Sequence, residues 1–145
     1  MSGDRFKPLG SLEDEAACMR LCVDFANDLD ARRYDAVLDL FAEDGSLDRM
    51  GTMFAGRPAI AAFLAARPAD MTTRHLCTNI RVSFESDSRA SGSCYVLFFQ
   101  GAGEQEAPVM TSAPSVVEYH DRFTRTAAGW RIQERRIRVA LRAPG

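Results

Sequence analysis

The sequence predicts an α+β fold in which three N-terminal helices pack against a long, curved antiparallel sheet. In three segments between residues 11 and 68 the apolar residues recur every three or four positions, which is the period of a helix. Beyond residue 70 the period changes to two, and Val, Ile, Thr, Tyr and Phe become frequent, as in β-strands. Three helices cannot fill the hollow of such a sheet completely, so an internal pocket is expected.

The composition is that of one ordinary globular domain. The chain has 145 residues, of which 46% are hydrophobic and 26% charged, and its formal net charge is -2. This charge creates no general attraction to nucleic acid or membranes. The C-terminal end is rich in arginine, but no nucleic-acid-binding motif accompanies it, and no apolar segment approaches the roughly 20 residues that cross a bilayer. We therefore predict no nucleic-acid partner and no membrane partner.

The first helix follows a short N-terminal arm. Residues 1–10 mix Gly, Pro and charge without a period and are predicted to be flexible, whereas residues 11–142 form one domain. Ser11 is the predicted N-cap, before three acidic residues. Two apolar rows follow, one of Leu12, Ala16, Met19, Val23 and Ala26, the other of Cys18, Cys22, Phe25 and Leu29. The next step of the first row is Asp30, so a stripe expected to face the core ends in a carboxylate.

The remaining elements follow from spacing and from turn residues. The second helix is predicted from apolar spacing at Tyr34, Val37, Leu38 and Phe41, and it ends within residues 42–46. Residues 46–55 form a short strand pair broken at a glycine, and residues 56–68 form the third helix, with proline in its first turn. Four strands are predicted at residues 72–85, 91–101, 114–126 and 130–141.

The four cysteines suggest thiols rather than disulfides. Cys18, Cys22, Cys77 and Cys94 show no disulfide-framework spacing, which is typical of a reducing compartment, so a cytoplasmic location is expected. Cys18 and Cys22 lie one helical turn apart and, with His75, form the only zinc set that the sequence suggests. Neither a CxxC nor an HxxxH motif supports that set, and we predict no metal.

Two ionisable residues are candidates for acid/base chemistry. In an extended strand His75, Cys77 and Asn79 share one face, and if that face lines the pocket, His75 can meet Asp30. A carboxylate that accepts one ring N–H fixes the tautomer and raises the basicity of the other nitrogen, which can then remove a proton from a substrate. The alternatives are that Asp30 caps the second helix and that His75 satisfies a buried polar group.

An ordered set of motifs resembles the SnoaL-like branch of the nuclear transport factor 2-like superfamily. The motifs are LFAED at 40–44, GRPAI at 56–60, HLCTNIR at 75–81, YHDRF at 119–123 and GWRI at 129–132. They extend over nearly the whole chain. The resemblance implies a cone-shaped α+β barrel with a deep pocket, and a homodimer formed through the outer face of the sheet.

The resemblance also implies an activity. Scytalone dehydratase and hexachlorocyclohexane dehydrochlorinase, two enzymes of this branch, eliminate water or HCl without a cofactor by means of a His–Asp pair. By position, the base corresponds to His75 and its orienting carboxylate to Asp30. We therefore predict a cofactor-independent lyase, or a related cyclase or isomerase, that acts on a small hydrophobic or aromatic-type molecule. The alternative is a non-catalytic domain that binds a hydrophobic ligand or dimerises.

Further residues are expected to contact the substrate. Phe25 lies on the pocket side of the first helix, and Gln100 is on the strand after that of His75. Tyr34, Tyr95 and Tyr119 are candidates for the acid that protonates the leaving group.

Two polar residues have both a binding and a structural interpretation. Asn79 can hydrogen-bond either substrate or neighbouring backbone. Asp121 falls where the steroid isomerases of the superfamily place an oxyanion acid, but Arg49 replaces their catalytic base and Phe25 their hydrogen-bonding tyrosine. The alternative for Asp121 is a cross-strand ion pair with an arginine of the last hairpin.

Overall fold

The computed structural model describes residues 10–144 and confirms the α+β class, with three helices packed on a curved, mostly antiparallel sheet of seven strands. The helices are α1 (Leu12–Asp30), α2 (Tyr34–Asp39) and α3 (Arg57–Ala65). The strands are β1 (Phe41–Arg49), β2 (Thr52–Ala55), β3 (Met71–Phe84), β4 (Arg89–Ala102), β5 (Val109–Met110), β6 (Ser115–Thr126) and β7 (Gly129–Leu141). The predicted N-terminal arm, apart from its last residue, lies outside the described residues.

Helix α1 begins as predicted but buries a different stripe. Ser11 and Asp14 form a reciprocal capping box, with the Ser11 hydroxyl accepting from the Asp14 N–H at 3.1 Å. The first apolar row is wrong as a core stripe, because Leu12 is 81% exposed and Val23 is 43% exposed. The buried residues are Cys18, Leu21, Cys22, Phe25, Ala26 and Leu29, which include the whole second row.

The boundary between α2 and β1 differs from the prediction. Helix α2 ends at Asp39, and Phe41 begins a strand instead of completing the helix. Phe41 is fully buried and pairs with Ile132 of β7, whose N–H donates to Leu40 O at 2.8 Å. The helical spacing of the apolar residues therefore continues beyond the helix, and pairing with a distant strand determines the local conformation.

The strand order is β2-β1-β7-β6-β4-β3, with β5 paired to β4. Strands β1 and β7 run parallel, and the other pairs are antiparallel. Since β2 and β3 are the two ends of this order, the sheet is curved but not closed, which corrects the expectation of a complete barrel. The short strand β5 lies in a segment that was predicted to be only a connection.

A β-bulge at Asn79 changes the face that β3 turns to the interior. The pairing with β4 shifts between Thr78 and Arg81, and Asn79 has a left-handed φ of 54°, a conformation that asparagine tolerates better than most residues. From Thr73 onward, the partly or fully buried residues are Thr73, His75 and Cys77 before the bulge and Ile80, Val82 and Phe84 after it. The prediction that Asn79 shares a face with His75 is therefore wrong.

The core lies between the helices and the inner face of the sheet. Helix α1 packs on β3 and β7, and α3 packs on β1 and β2. Phe25 of α1 makes edge-to-face contacts with Phe41, at 6.1 Å between ring centroids, and with Tyr119, at 5.9 Å. Among the described residues, none of the helices has the length and apolar character needed to cross a membrane.

Candidate active site

A cavity of about 290 Å³ lies between α1, α3 and the inner face of the sheet. This volume is close to the lower end of the range typical of small-molecule sites. Most of its wall is apolar, and the residues are Phe25, Leu29, Leu47, Phe63, Ala66, Pro68, Met71, Phe98 and Ile137. The other lining residues are Arg49, Arg67, Thr73, His75, Gln100 and Tyr119. The cavity is thus an apolar chamber with a small number of polar groups.

His75 and Asp30 are in direct contact at the wall of this cavity. His75 Nδ1 lies 2.6 Å from Asp30 Oδ1, and the backbone N–H of His75 donates to Asp30 Oδ2 at 2.9 Å. Only 10% of the His75 side chain and 12% of the Asp30 side chain are exposed. Because Nδ1 faces a carboxylate, we assign the proton of the neutral ring to Nδ1. The lone pair of Nε2 can then accept a proton from a bound molecule.

The end of α1 is held against the start of β3 by Arg32. Helix α1 ends in a Schellman motif, in which the Arg33 N–H donates to Asp28 O at 2.8 Å while Arg32 has a left-handed φ of 60°. The Arg32 side chain donates to Pro68 O at 2.7 Å, just before β3. This contact positions Asp30, the last helical residue, against the strand that carries His75.

A second set of hydrogen bonds supports the carboxylate from behind. The Thr73 hydroxyl donates to Asp30 Oδ1 at 2.8 Å and accepts from Arg67 Nη2 at 3.0 Å. Arg67 Nη1 in turn donates to Tyr34 Oη at 2.9 Å. Since Thr73 is two residues before His75 on the same strand, one strand face supplies both partners of Asp30. The carboxylate is therefore fixed in orientation as well as in position.

These contacts determine the charge state of Asp30. Burial raises the pKa of its carboxyl group, but the hydrogen bonds and charge of His75 and the hydrogen bond from Thr73 lower the pKa by more, so that it lies below its ordinary value. Asp30 is therefore ionised at neutral pH. An ionised Asp30 can stabilise the imidazolium that forms when His75 takes up a proton.

Tyr119 of β6 is the only tyrosine among the residues that line the cavity. It is 2% exposed, and the Arg135 guanidinium lies 4.3 Å from the centre of its ring. Burial raises the pKa of Tyr119 far above its ordinary value, and the charge of Arg135 opposes this only in part. The hydroxyl group therefore keeps its proton at neutral pH and can donate it in a hydrogen bond.

Asp121 lies in a buried ion pair below the cavity wall. Arg135 donates to both of its carboxylate oxygens at 2.8 Å, and the two residues are directly opposite each other in β6 and β7. The Cys22 Sγ lies 3.6 Å from Asp121 Oδ2. The geometry matches the ion-pair alternative, and Asp121 is not among the residues that line the cavity.

The other predicted substrate-binding residues divide into two groups. Phe25 and Gln100 line the cavity. Tyr34 lies behind the wall and accepts hydrogen bonds from two arginines. Tyr95 is 49% exposed, and Asn79, which accepts from the Thr78 hydroxyl, is also exposed. Tyr95 alternates with buried neighbours in β4, and the bulge turns Asn79 outward, so neither reaches the cavity.

Sequence reasoning did not select several residues that form the site. Thr73 could have been found, because it precedes His75 by two residues and must share its strand face. Phe98 pairs with His75 across β3 and β4, with 4.9 Å between ring centroids, but this register depends on tertiary pairing. Arg67 carries no sequence signal that distinguishes it from a surface arginine, whereas Arg49 was noted only as the replacement for the catalytic base of the steroid isomerases and was not selected as a binding residue.

Cysteine and metal chemistry receives little support from the geometry. Within residues 10–144, no group of three or more His, Cys, Asp or Glu side chains is placed to hold a metal ion. The cysteines are free thiols, and Cys22 contacts the Asp121–Arg135 pair, whereas His75 is engaged by Asp30. Cys22 and His75, two of the three residues considered as zinc ligands, therefore have other partners.

Comparisons with known proteins agree with this architecture. A family model described as a SnoaL-like domain matches residues 10–136. A provisionally named aromatic ring hydroxylase from Novosphingobium aromaticivorans is 25% identical, with a TM-score of 0.79, over 91% of this chain and 92% of that protein. An NTF2-like protein with a cystatin-like fold from the same organism is 25% identical, with a TM-score of 0.72, over 89% and 83% of the two chains.

A third solved structure shares the fold at lower identity. It is a provisionally named scytalone dehydratase from the same organism, 21% identical, with a TM-score of 0.77, over 88% of this chain and 85% of that protein. No curated protein sequence matches the chain.

Proposed function

The chain belongs to the SnoaL-like domain family, and on this premise we propose that it is a cofactor-independent lyase that eliminates water from a small, largely hydrophobic substrate. The observation that carries the proposal is the contact between Asp30 and His75 at the wall of an apolar cavity. The provisional dehydratase name of one fold neighbour supports the same reaction class. A cyclase or isomerase would use the same proton transfer but would require no leaving group.

The proposed reaction begins with proton removal by His75. Nε2 takes a proton from the carbon next to a substrate carbonyl group, and the electron pair of the C–H bond forms an enolate. The enolate electrons then form a carbon–carbon double bond as the C–O bond on the neighbouring carbon breaks. Asp30 stabilises the imidazolium and holds the ring. A positioned base of this kind contributes about 10² to 10⁴ in rate.

The leaving hydroxyl group requires a proton, and we assign this role to Tyr119. It lines the same cavity as His75. Burial raises the pKa of the phenol, so the proton transfer depends on the negative charge that develops on the departing oxygen. Tyr34 and Tyr95 do not line the cavity. The proton passes from the phenol to the departing oxygen, which leaves as water, and the phenolate is reprotonated from solvent or from His75.

The proposal is tested with 3-hydroxy-1-tetralone, a hydrophobic ketone that loses water to give fluorescent 1-naphthol. We expect the wild-type protein to accelerate formation of 1-naphthol. His75→Ala should reduce the rate by about 10² to 10⁴, and Tyr119→Phe should reduce it while the protein stays folded by circular dichroism. The control is His120→Ala, because His120 is the other histidine and lies outside the cavity, bound to Glu118 at 3.1 Å.

Equal turnover by the wild-type and His75→Ala proteins would contradict the lyase proposal. Binding of 1-naphthol without turnover of the tetralone in any variant would instead favour the alternative of a non-catalytic ligand-binding domain. The ring tautomer gives an independent measurement. In ¹⁵N NMR spectra of the neutral ring, the proton should reside on Nδ1 in the wild-type protein and lose that preference in Asp30→Asn.

We also propose that the protein forms a homodimer through the outer face of its sheet. Three large apolar residues on this face are exposed, namely Leu76 (50%), Tyr95 (49%) and Leu97 (38%). Leu76 and Leu97 are directly opposite each other in β3 and β4, so they form one continuous patch. Burial of such a patch against a second copy would remove apolar surface from water.

A further inference from the structure

The two permanently charged residues that line the cavity are both arginines. Arg49 and Arg67 line the cavity, and within residues 10–144 its lining includes no aspartate or glutamate. The nearby carboxylate of Asp30 is already engaged by His75 and by Thr73. A molecule that enters the cavity therefore meets two permanent positive charges that no lining carboxylate neutralises.

Arg67 is fixed in position by neutral groups only. Its Nη1 donates to Leu29 O at 3.2 Å and to Tyr34 Oη at 2.9 Å, and its Nη2 donates to Thr73 Oγ1 at 3.0 Å. Among residues 10–144 no carboxylate lies within 4.0 Å of this guanidinium, and no acceptor is recorded for its Nε–H. The arginine is therefore preorganised without a direct ion pair, and the carboxylate of Asp30 is linked to it only through the Thr73 hydroxyl.

Arg49 provides the second positive charge at the cavity wall. It is the last residue of β1, and its guanidinium lies 5.6 Å from the centre of the Phe63 ring of α3. The neighbouring Asp48 does not form an ion pair with Arg49, and its side chain instead accepts the N–H of Gly51 at 2.9 Å. In the part of the chain that the structure describes, Arg49 has no carboxylate within ion-pair distance.

From these observations we infer that the substrate has an apolar body and one anionic group, such as a carboxylate, which is bound by Arg49 and lies in the positive field of Arg67. This inference rests on the proposed function, because it concerns the substrate of the same cavity. Arginine binds a carboxylate through charge-assisted and often bidentate hydrogen bonds. The same positive charges would stabilise the enolate that forms when His75 removes a proton.

Equilibrium binding tests the inference without any catalytic step. The probes are 2-naphthoate and 2-naphthamide, which share a size and shape but differ in charge, and binding is measured by isothermal titration calorimetry at pH 8. We expect 2-naphthoate to bind about 10- to 100-fold more tightly than the amide. Arg49→Met should remove most of this preference and leave the affinity for the amide unchanged.

Two further variants make the result specific. Arg20→Met is the matched control, because Arg20 is an exposed arginine of α1 that does not line the cavity, and it should bind both probes as the wild-type protein does. His75→Ala should retain the preference for naphthoate even if it abolishes turnover, so loss of the lyase activity and loss of anion binding are separate outcomes.

Three results would overturn the inference. They are equal affinity for the two probes, an anion preference that persists in Arg49→Met, and no binding of 2-naphthoate at millimolar concentration. A preference that disappears only in His75→Ala would count equally against it, since the anion would then be bound by the histidine. None of these results would by itself exclude elimination from an uncharged substrate.

Discussion

Asp30 occupies a position that is unfavourable for a carboxylate in isolation. It is the last residue of α1, where the helix dipole disfavours negative charge, and it is largely buried. Hydrogen bonds from His75 and Thr73 offset both effects. The residue is thus stable as an anion only because β3 supplies donors to it, which couples the ionisation of Asp30 to the correct docking of that strand.

This coupling predicts how stability depends on pH. The pKa of Asp30 is lower in the folded protein than its ordinary value, so between the two values the unfolded state binds more protons. The stabilisation is complete above about pH 4 and is lost as the pH falls through the folded-state pKa. Urea denaturation between pH 2.5 and 6 should show this loss in the wild-type protein and a smaller pH dependence in Asp30→Asn.

The control for that measurement is Asp39→Asn, which removes an exposed carboxylate that has no hydrogen-bond partner among residues 10–144. It should leave the pH dependence of the wild-type protein almost unchanged. An identical acid transition in the wild-type and Asp30→Asn proteins would mean that the carboxylate is not stabilised by its contacts with β3.

The bulge residue Asn79 gives a second prediction for a single residue. A β-branched side chain is strongly disfavoured at its φ of 54°, so Asn79→Val should lower the free energy of unfolding by about 1 to 3 kcal/mol. Asn79→Gly should have a much smaller effect, because glycine adopts this conformation freely. Thr78→Val is the control, since it removes the Thr78–Asn79 side-chain hydrogen bond without changing the backbone requirement.

Single residues also show where prediction from the sequence reached its limit. The Asp30–His75 contact was anticipated from the helix end, the strand and the family resemblance together. The position of Asn79 was not, because strict alternation along a strand assumes that no residue is inserted. The roles of Arg49 and Arg67 depend on the lack of a directly paired carboxylate near each guanidinium in the part of the folded protein that the structure describes. The spacing of residues along the sequence does not show which acids lie near an arginine after folding.

At the scale of elements, β6 and β7 are joined by the buried Asp121–Arg135 pair. Both side chains are almost fully buried, and Arg135 also lies 4.4 Å from the centre of the Phe25 ring of α1. Arg135→Met would leave the carboxylate buried without its partner, so the free energy of unfolding should fall by about 3 to 5 kcal/mol. The measurement is urea denaturation followed by circular dichroism.

Two further variants test whether the loss of stability comes from burial of an unpaired charge. The double variant Asp121→Leu with Arg135→Met removes both charges and should recover much of the loss. Arg33→Met breaks an exposed pair with Asp28 and should cost less than about 1 kcal/mol. Equal effects of Arg33→Met and Arg135→Met would show that burial does not control the strength of these pairs.

The spacing of apolar residues predicted a helix or strand correctly where that element has one apolar face and one polar face. The strands from residue 71 onward and the start of α1 follow from their spacing and caps. Periodicity failed at Phe41, which continues the helical spacing of α2 but is placed by its pairing with Ile132. It also failed for β5, whose two residues are too few to define a period.

For the whole molecule, the proposed dimer predicts a measurable change in mass. We expect the wild-type protein to have the mass of a dimer in light scattering coupled to size-exclusion chromatography. Leu97→Glu places a charge in the centre of the apolar patch and should yield monomers, because an unpaired charge is costly to bury in an interface. The control is Leu12→Glu, at an exposed leucine of α1.

A monomeric wild-type protein would contradict the proposed interface, as would a Leu97→Glu protein that remains dimeric. The outer face of the sheet does not line the cavity, so the result for the dimer does not affect the test of the lyase proposal.

The position of β7 has a consequence for synthesis of the protein. This strand is the last to be made, yet it lies between β1 and β6 and provides the parallel partner of β1. A nascent chain on the ribosome cannot complete its core by folding progressively from the N-terminus, because the central place in the sheet stays vacant until residues 129–141 have emerged. The part of α1 that packs on β7 stays uncovered during that interval, although β3 can cover the rest of its apolar side earlier. Apolar surface that is exposed transiently in this way favours aggregation of incompletely folded chains.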